Sequence, residues 1–218
     1  DPINRFICLY VDHFIIPPFN SNDSECEYYY VTPTFEELEA FRCHVNYFLS
    51  QDHPLDYDGN NDFCPLTLDE LGYKIKEFEG LYFFYEKDHL TNSRDPFEIG
   101  WGVFVYNPEA DHQNLIVEVN HPHADMSTEE IGANIFYHDS AGWLFMAGAH
   151  RYACVDGITP SESGVNHGAD TAREENTVFQ VFHEEVSDYH LGDIYAFSIH
   201  GFGSSWDVSM WNQEECSY

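Results

Sequence analysis

The sequence predicts an α/β protein: a doubly wound, mixed sheet with helices on both faces, joined to an irregular N-terminal part stapled by disulfides. Three observations predict it. From residue 115 onward the signals alternate as strand, helix, strand, helix, strand. The middle strand segments are nearly all apolar, as strands covered on both faces are. Four of the six cysteines lie before residue 65, among polar, turn-rich segments.

Composition narrows the function classes. The 218 residues carry 39 acids and 8 bases, a net charge of −31. Such a surface repels phosphate backbones and anionic lipid, so nucleic acid is excluded as a partner. No apolar run approaches the roughly 20 residues that span a bilayer, so no membrane partner is expected. Hydrophobic residues make up 43% and aromatic residues 17%, enough for a packed core and against global disorder. Composition shifts near residue 95. It divides an N-terminal extension packed on the core, 1–95, from an α/β core, 96–218; one domain over the whole chain is the other reading.

Cys8, Cys26, Cys43, Cys64, Cys154 and Cys216 form no C-x-x-C pair, which argues against a thiolate zinc knuckle. An even, scattered set in a chain that starts at Asp1 without Met points to an oxidising compartment. A secreted, extracellular protein is expected, with any signal peptide already removed. Asn22-Asp23-Ser24 is the one N-x-S/T sequon and a candidate glycan site.

Four Ser/Thr-x-x-Glu pairs predict helix starts, because the hydroxyl and the carboxylate satisfy each other's end of the first turn. Thr34 and Glu37 open one with Leu38, Phe41, Val45 and Phe48 on a single face. Thr67 and Glu70 open a shorter one through Leu71 and Ile75. Ser127 and Glu130 open a third, with Ile131, Ile135 and Phe136. Thr171 and Glu174 open the longest, with Val178, Phe179, Phe182 and Val186. Apolar and β-branched runs predict strands over 81–85, 101–106, 115–119, 144–147 and 194–199. Residues 6–16 and 28–31 read as further strands, core or subunit contacts.

Sites in open α/β sheets form beyond the carboxyl ends of strands. Three late strands deliver histidine there. The strand over 115–119 runs into Asn120-His121-Pro122-His123-Ala124-Asp125, that over 144–147 into Gly148-Ala149-His150-Arg151, and that over 194–199 into His200-Gly201. Zinc hydrolases need about three His or carboxylate ligands and one open position. His121, Asp125 and His200 make such a set. Arg151 then clamps a substrate carboxylate or stabilises an oxyanion. Glu129 and Glu130 are candidates for general base or for support of the ligands, with Glu130 also read as the capping partner of Ser127. The structural alternatives are a solvated His-Pro-His turn, a salt-bridged His150-Arg151 pair and a hydrogen-bonded core His200.

The stretch from His121 to Ile131 resembles the zinc loop of the poly-γ-glutamate hydrolase and N-formylglutamate amidohydrolase group, relatives of the zinc carboxypeptidase fold. Asp125, Thr128 and Glu130 keep that group's offsets, and Ile199-His200-Gly201 is similar to its closing His-Gly pair. The resemblance covers roughly 113–203. Asp125 stands where the group has Glu, and the loop from His121 is one residue shorter, which leaves His123 as an alternative ligand. The resemblance implies zinc at His121, Asp125 and His200.

Other chemistries lack their motifs. Gly201-Phe202-Gly203-Ser204-Ser205 is no nucleophile elbow, and no Gly-Lys-Ser/Thr phosphate loop exists. The acidic run from Asp56 to Asp62 has its Gly too early for an EF-hand, with Thr67 where the bidentate Glu belongs. The expected function is zinc-dependent hydrolysis of an amide bond beside a carboxylate, on a peptide or acyl-amino-acid substrate. The alternative is a non-enzymatic extracellular fibre or assembly subunit that self-associates on a degenerate hydrolase scaffold.

Overall fold

The computed structural model describes residues 15–16, 18, 26, 28–51, 57, 59, 63–87, 99–125, 127–159, 169–191 and 193–201. Cys8, Cys216, Asn22 and most of the acidic run over 56–62 lie outside the described residues, as do residues 6–14 of the candidate N-terminal strand. Among the described residues eight strands and three helices follow in chain order: β1 Tyr29–Tyr30, α1 Phe35–Ser50, β2 Tyr73–Phe78, β3 Leu81–Glu86, β4 Val103–Tyr106, β5 His112–Val119, α2 Thr128–His138, β6 Ala141–Met146, β7 Cys154–Val155, α3 Val178–Tyr189 and β8 Tyr195–Ile199.

The fold is mixed α/β, as the sequence predicts. The main sheet has the order β2-β3-β4-β6-β5-β8. Pairing is antiparallel from β2 to β6 and parallel where β5 meets β6 and β8. Alternate residues of the inner strands serve two cores. Phe84, Phe104, Ile116, Trp143 and Phe145 face α1 and α3, where Phe104 stacks on Phe182 at 3.7 Å. Phe83, Val105, Val117, Leu144 and Met146 belong to the opposite core, with Ala133 and Phe136 of α2. Every residue of β6 is buried, which is why its run shows no polar alternation.

The connections decide where a site can form. The chain leaves β5 through α2 to β6, then returns through α3 on the other face to β8, on the far side of β5. The carboxyl ends of β6, β5 and β8 therefore lie side by side, with a reversal of winding at β5.

The four capping pairs meet four different fates. Thr34 and Glu37 form the full reciprocal cap of α1. Thr67 and Glu70 make the same hydrogen bonds but support one turn and no helix. Gly72, at φ +70°, ends that turn, and Tyr73 to Phe78, including Ile75, enter β2. One turn without propagation cannot offset the cost of helix nucleation. Helix α2 forms, but Ser127 is left-handed at φ 58° and does not cap it; Thr128 Oγ1 instead donates to the Asp125 carbonyl at 2.9 Å. Thr171 and Glu174 precede α3 without opening it. Thr171 Oγ1 donates to the Asn120 carbonyl, and Thr177 caps the helix by accepting from the Gln180 N–H at 3.0 Å. Among the described residues the longest helix is α1, not α3.

Among the described residues two disulfides, Cys26–Cys154 and Cys43–Cys64, staple the N-terminal part, the first to β7. Buried Glu86 holds β3 to the entry of β4 by accepting from four consecutive backbone N–H groups, Ile99 to Gly102. Arg42 clamps α1 to α3 through Glu184 and Glu185 at 2.7 Å each. Among the described residues no helix is long and apolar enough to cross a membrane.

Candidate metal centre

His121, Asp125 and His200 converge. One ligand atom from each falls within 4.8 Å of the other two, and the His121 and His200 rings lie 5.1 Å apart at their centroids. His121 and Asp125 come from the turn that ends β5, and His200 from the end of the adjacent β8. Their separation of 79 residues in sequence is closed by one strand pairing, Val119 opposite Ile199. Gly201 makes the close approach possible: a Cβ there would meet the Cβ of Asp125 at 2.9 Å.

Each ring has one nitrogen engaged away from the cluster. His121 Nε2 donates to Asp170 Oδ1 at 2.8 Å, and its Nδ1 lies 3.3 Å from Asp125 Oδ2. His200 Nε2 is 3.2 Å from Ser198 Oγ, which in turn accepts from the side-chain amide of Asn120. Its Nδ1 lies 3.6 Å from the same Asp125 oxygen. Burial opposes ionisation of Asp170, but the hydrogen bond from His121, with the His121 and Arg173 charges, holds its carboxyl below the ordinary range. The contact with Asp170 at Nε2 orients the His121 ring so that its Nδ1 is turned toward Asp125.

These residues fit a zinc ion. Ligands at about 2.0–2.1 Å in tetrahedral geometry stand about 3.3–3.4 Å from one another, and the Asp125 oxygen lies 3.3 and 3.6 Å from the two imidazole nitrogens. Two imidazole nitrogens and a carboxylate oxygen are a donor set zinc accepts. His121 and Asp125 are buried while the His200 side chain is 47% exposed, so the cluster has one open side. His123, at φ 60°, lies in the same turn but outside the converging trio.

Arg151 reaches the cluster from the end of β6, with Nη2 3.8 Å from Asp125 Oδ1. Its Nε is buried without a hydrogen-bond partner. Glu130 is exposed on the first turn of α2, and Glu129, beside it, is buried with Thr128 Oγ1 at 3.3 Å. His150 is buried, and its Nδ1 accepts from the Tyr152 N–H at 3.0 Å. Asp170, Ser198 and Asn120 are the residues that sequence reasoning missed. Asp170 had one usable signal, an acid just before a turn that leads into a helix across the sheet, but no local pattern ties it to His121.

Comparison with known protein families, with curated proteins and with solved structures found no match to this chain.

Proposed function

We propose that the chain is a zinc-dependent hydrolase of an amide bond beside a carboxylate, acting on peptide or acyl-amino-acid substrates in an extracellular, oxidising compartment. The observation that carries the reading is the convergence of His121, Asp125 and His200 at the ends of two parallel strands. The likeness of 113–203 to the poly-γ-glutamate hydrolase and N-formylglutamate amidohydrolase group supports the same ligand set, and the two disulfides support the compartment. Zinc in this site supplies a Lewis acid that polarises the scissile carbonyl and lowers the pKa of water.

The chain's own residues do the rest. Asp170 and Ser198 orient the two imidazoles, so the ligand geometry is set before anything binds. Arg151 pairs with the substrate carboxylate and aligns the amide over the cluster. Glu130, on the first turn of α2, takes the proton of the attacking water and returns it to the departing amine. The −31 surface disfavours a polyanion, so neutral or cationic peptides with one terminal carboxylate are the preferred substrates.

The test is metal analysis of the oxidised chain, followed by hydrolysis of an N-acyl amino acid and short peptide panel. Stoichiometric zinc is expected, lost in His200→Ala. Glu130→Gln is expected to keep the zinc and lower kcat by about 10²–10⁴-fold. A chain that takes up no zinc, or holds it equally after His200→Ala, overturns the proposal.

One observation favours the second reading, an extracellular assembly subunit. Among the described residues strand β8 is the last of the sheet, with Tyr195 67% and Phe197 53% exposed, and an uncharged edge of this kind can pair with another chain. Light scattering that shows large assemblies broken by Phe197→Lys, together with no zinc, would select it.

A further inference from the structure

We infer that His150 and Arg151 form a carboxylate-binding pair beside the metal-ligand trio, with His150 donating through its Nε2–H. The inference rests on the hydrolase reading for what the ligand does there, not for whether it binds. Both residues follow β6, which neighbours β5 on the side opposite β8. They therefore flank His121 and Asp125 across from His200.

The tautomer comes from the backbone. The Tyr152 N–H donates to His150 Nδ1 at 3.0 Å, so Nδ1 is an acceptor and the ring proton sits on Nε2. His150 is 8% exposed, and no group among the described residues bonds its Nε2. The next residue repeats the situation: Arg151 Nε is buried without a partner, and its Nη2 stays at 3.8 Å from Asp125, beyond hydrogen-bond reach. Arg151 thus holds a buried N–H donor with nothing to accept it, and the preceding residue holds an Nε2–H that bonds no group among the described residues. Native structures rarely leave a buried donor such as the Arg151 Nε–H orphaned, and a bound acceptor would satisfy it.

A carboxylate matches the pair in number and charge. It offers two acceptor oxygens and one negative charge, against two donors of which only Arg151 is cationic. Burial, followed by the charges of Arg151, His123 and His121, pushes the His150 imidazole down to about 4 against the opposing pull of Asp125. At neutral pH the ring donates without adding charge. The segment is also held in place before binding: the His150 N–H donates to the Ile16 carbonyl at 2.8 Å, and Cys154 is bonded to Cys26.

The experiment uses the full, oxidised, metal-free chain labelled with ¹⁵N-histidine, with acetate as the probe. The ring nitrogens of His150 are expected to show the neutral Nε2–H form from pH 5.5 to 8, and its Nε2 shift is expected to move on acetate addition. His150→Phe should weaken acetate binding about tenfold, the worth of one lost hydrogen bond. His150→Gln, which keeps a donor near the same place, should restore most of it. An Nδ1–H tautomer, an imidazolium in that pH range, or equal acetate affinity in His150→Phe overturns the inference. Zinc uptake is scored separately, so a chain that binds acetate in this pattern but takes no zinc sinks the hydrolase reading and leaves the anion pair standing.

Discussion

Replacing Asp170 tests the centre where local sequence says least about it. Asp170 is almost wholly buried, accepts from His121 Nε2 at 2.8 Å and has Arg173 Nε 3.6 Å from its other oxygen. Asp170→Asn keeps the shape and an acceptor oxygen but removes the charge. A hydrogen bond to a charged group contributes about 1.5–3 kcal/mol against about 1 for a neutral one, so the exchange costs His121 about 1.4 kcal/mol of orientation. That converts to about a tenfold rise in the zinc Kd. Asp170→Ala removes the acceptor altogether and frees the ring to present either nitrogen, for which a rise of about 100-fold is expected. Thr171→Val is the control. It loses the bond from Thr171 Oγ1 to the Asn120 carbonyl, costing about 1 kcal/mol of stability, but leaves His121 held. Competition titration against a chelator of known zinc affinity reads all three. Equal affinity in wild type and Asp170→Ala would refute the role given to Asp170 and the Nδ1 assignment with it.

Other expectations follow from single contacts. Removing Cys26–Cys154, which closes a 128-residue separation, should cost about 5 kcal/mol and about 10 °C in Tm, whereas Cys43–Cys64, over 21 residues, should cost about 3 kcal/mol. Paired Cys→Ala variants compared by denaturation measure the difference, and only the first should also weaken acetate binding. The hydrogen bond to Glu118 at 2.6 Å raises the His183 pKa above its ordinary 6.5 despite burial. Its contribution to stability is therefore complete below pH about 6.5 and is lost as pH rises through the raised value. Denaturation midpoints across pH 5.5–9 should show that loss, and Glu118→Gln should flatten it. Glu86→Leu strands the four N–H groups of Ile99 to Gly102 and should cost roughly 3 kcal/mol or more in urea unfolding; a neutral result would deny that the carboxylate holds β3 to β4.

Much of the fold was legible because its signals are local. The five strand segments from 81 to 199 all form, since apolar and β-branched runs bury in a sheet whatever lies next to them. The faces of α1 and α3 also read correctly, because Phe41, Val45 and Phe48, like Val178, Phe182 and Val186, repeat at helical spacing and are buried. Strand β2 was misread because Thr67 and Glu70 form a genuine cap, and only Gly72 stops the turn from extending. Ser127 and Thr171 misled for a different reason. The turns that hold them are bent to serve Asp125 and Asn120, so tertiary bonds took precedence over helix capping.

By itself the sequence determined the class of the fold, the charge, the cysteine supply and the placing of histidines just past three strands. These depend on residue type and on periods of two or 3.6, which a linear reading contains. Tertiary structure alone decided that β8 lies beside β5, that Asp170 meets His121 across 49 residues of chain, and that His150 and Arg151 stand on the side away from His200. Those are matters of strand order and of loops returning to one edge. They are settled by burying both faces of the sheet at once, a condition on the whole chain that no short window of it expresses.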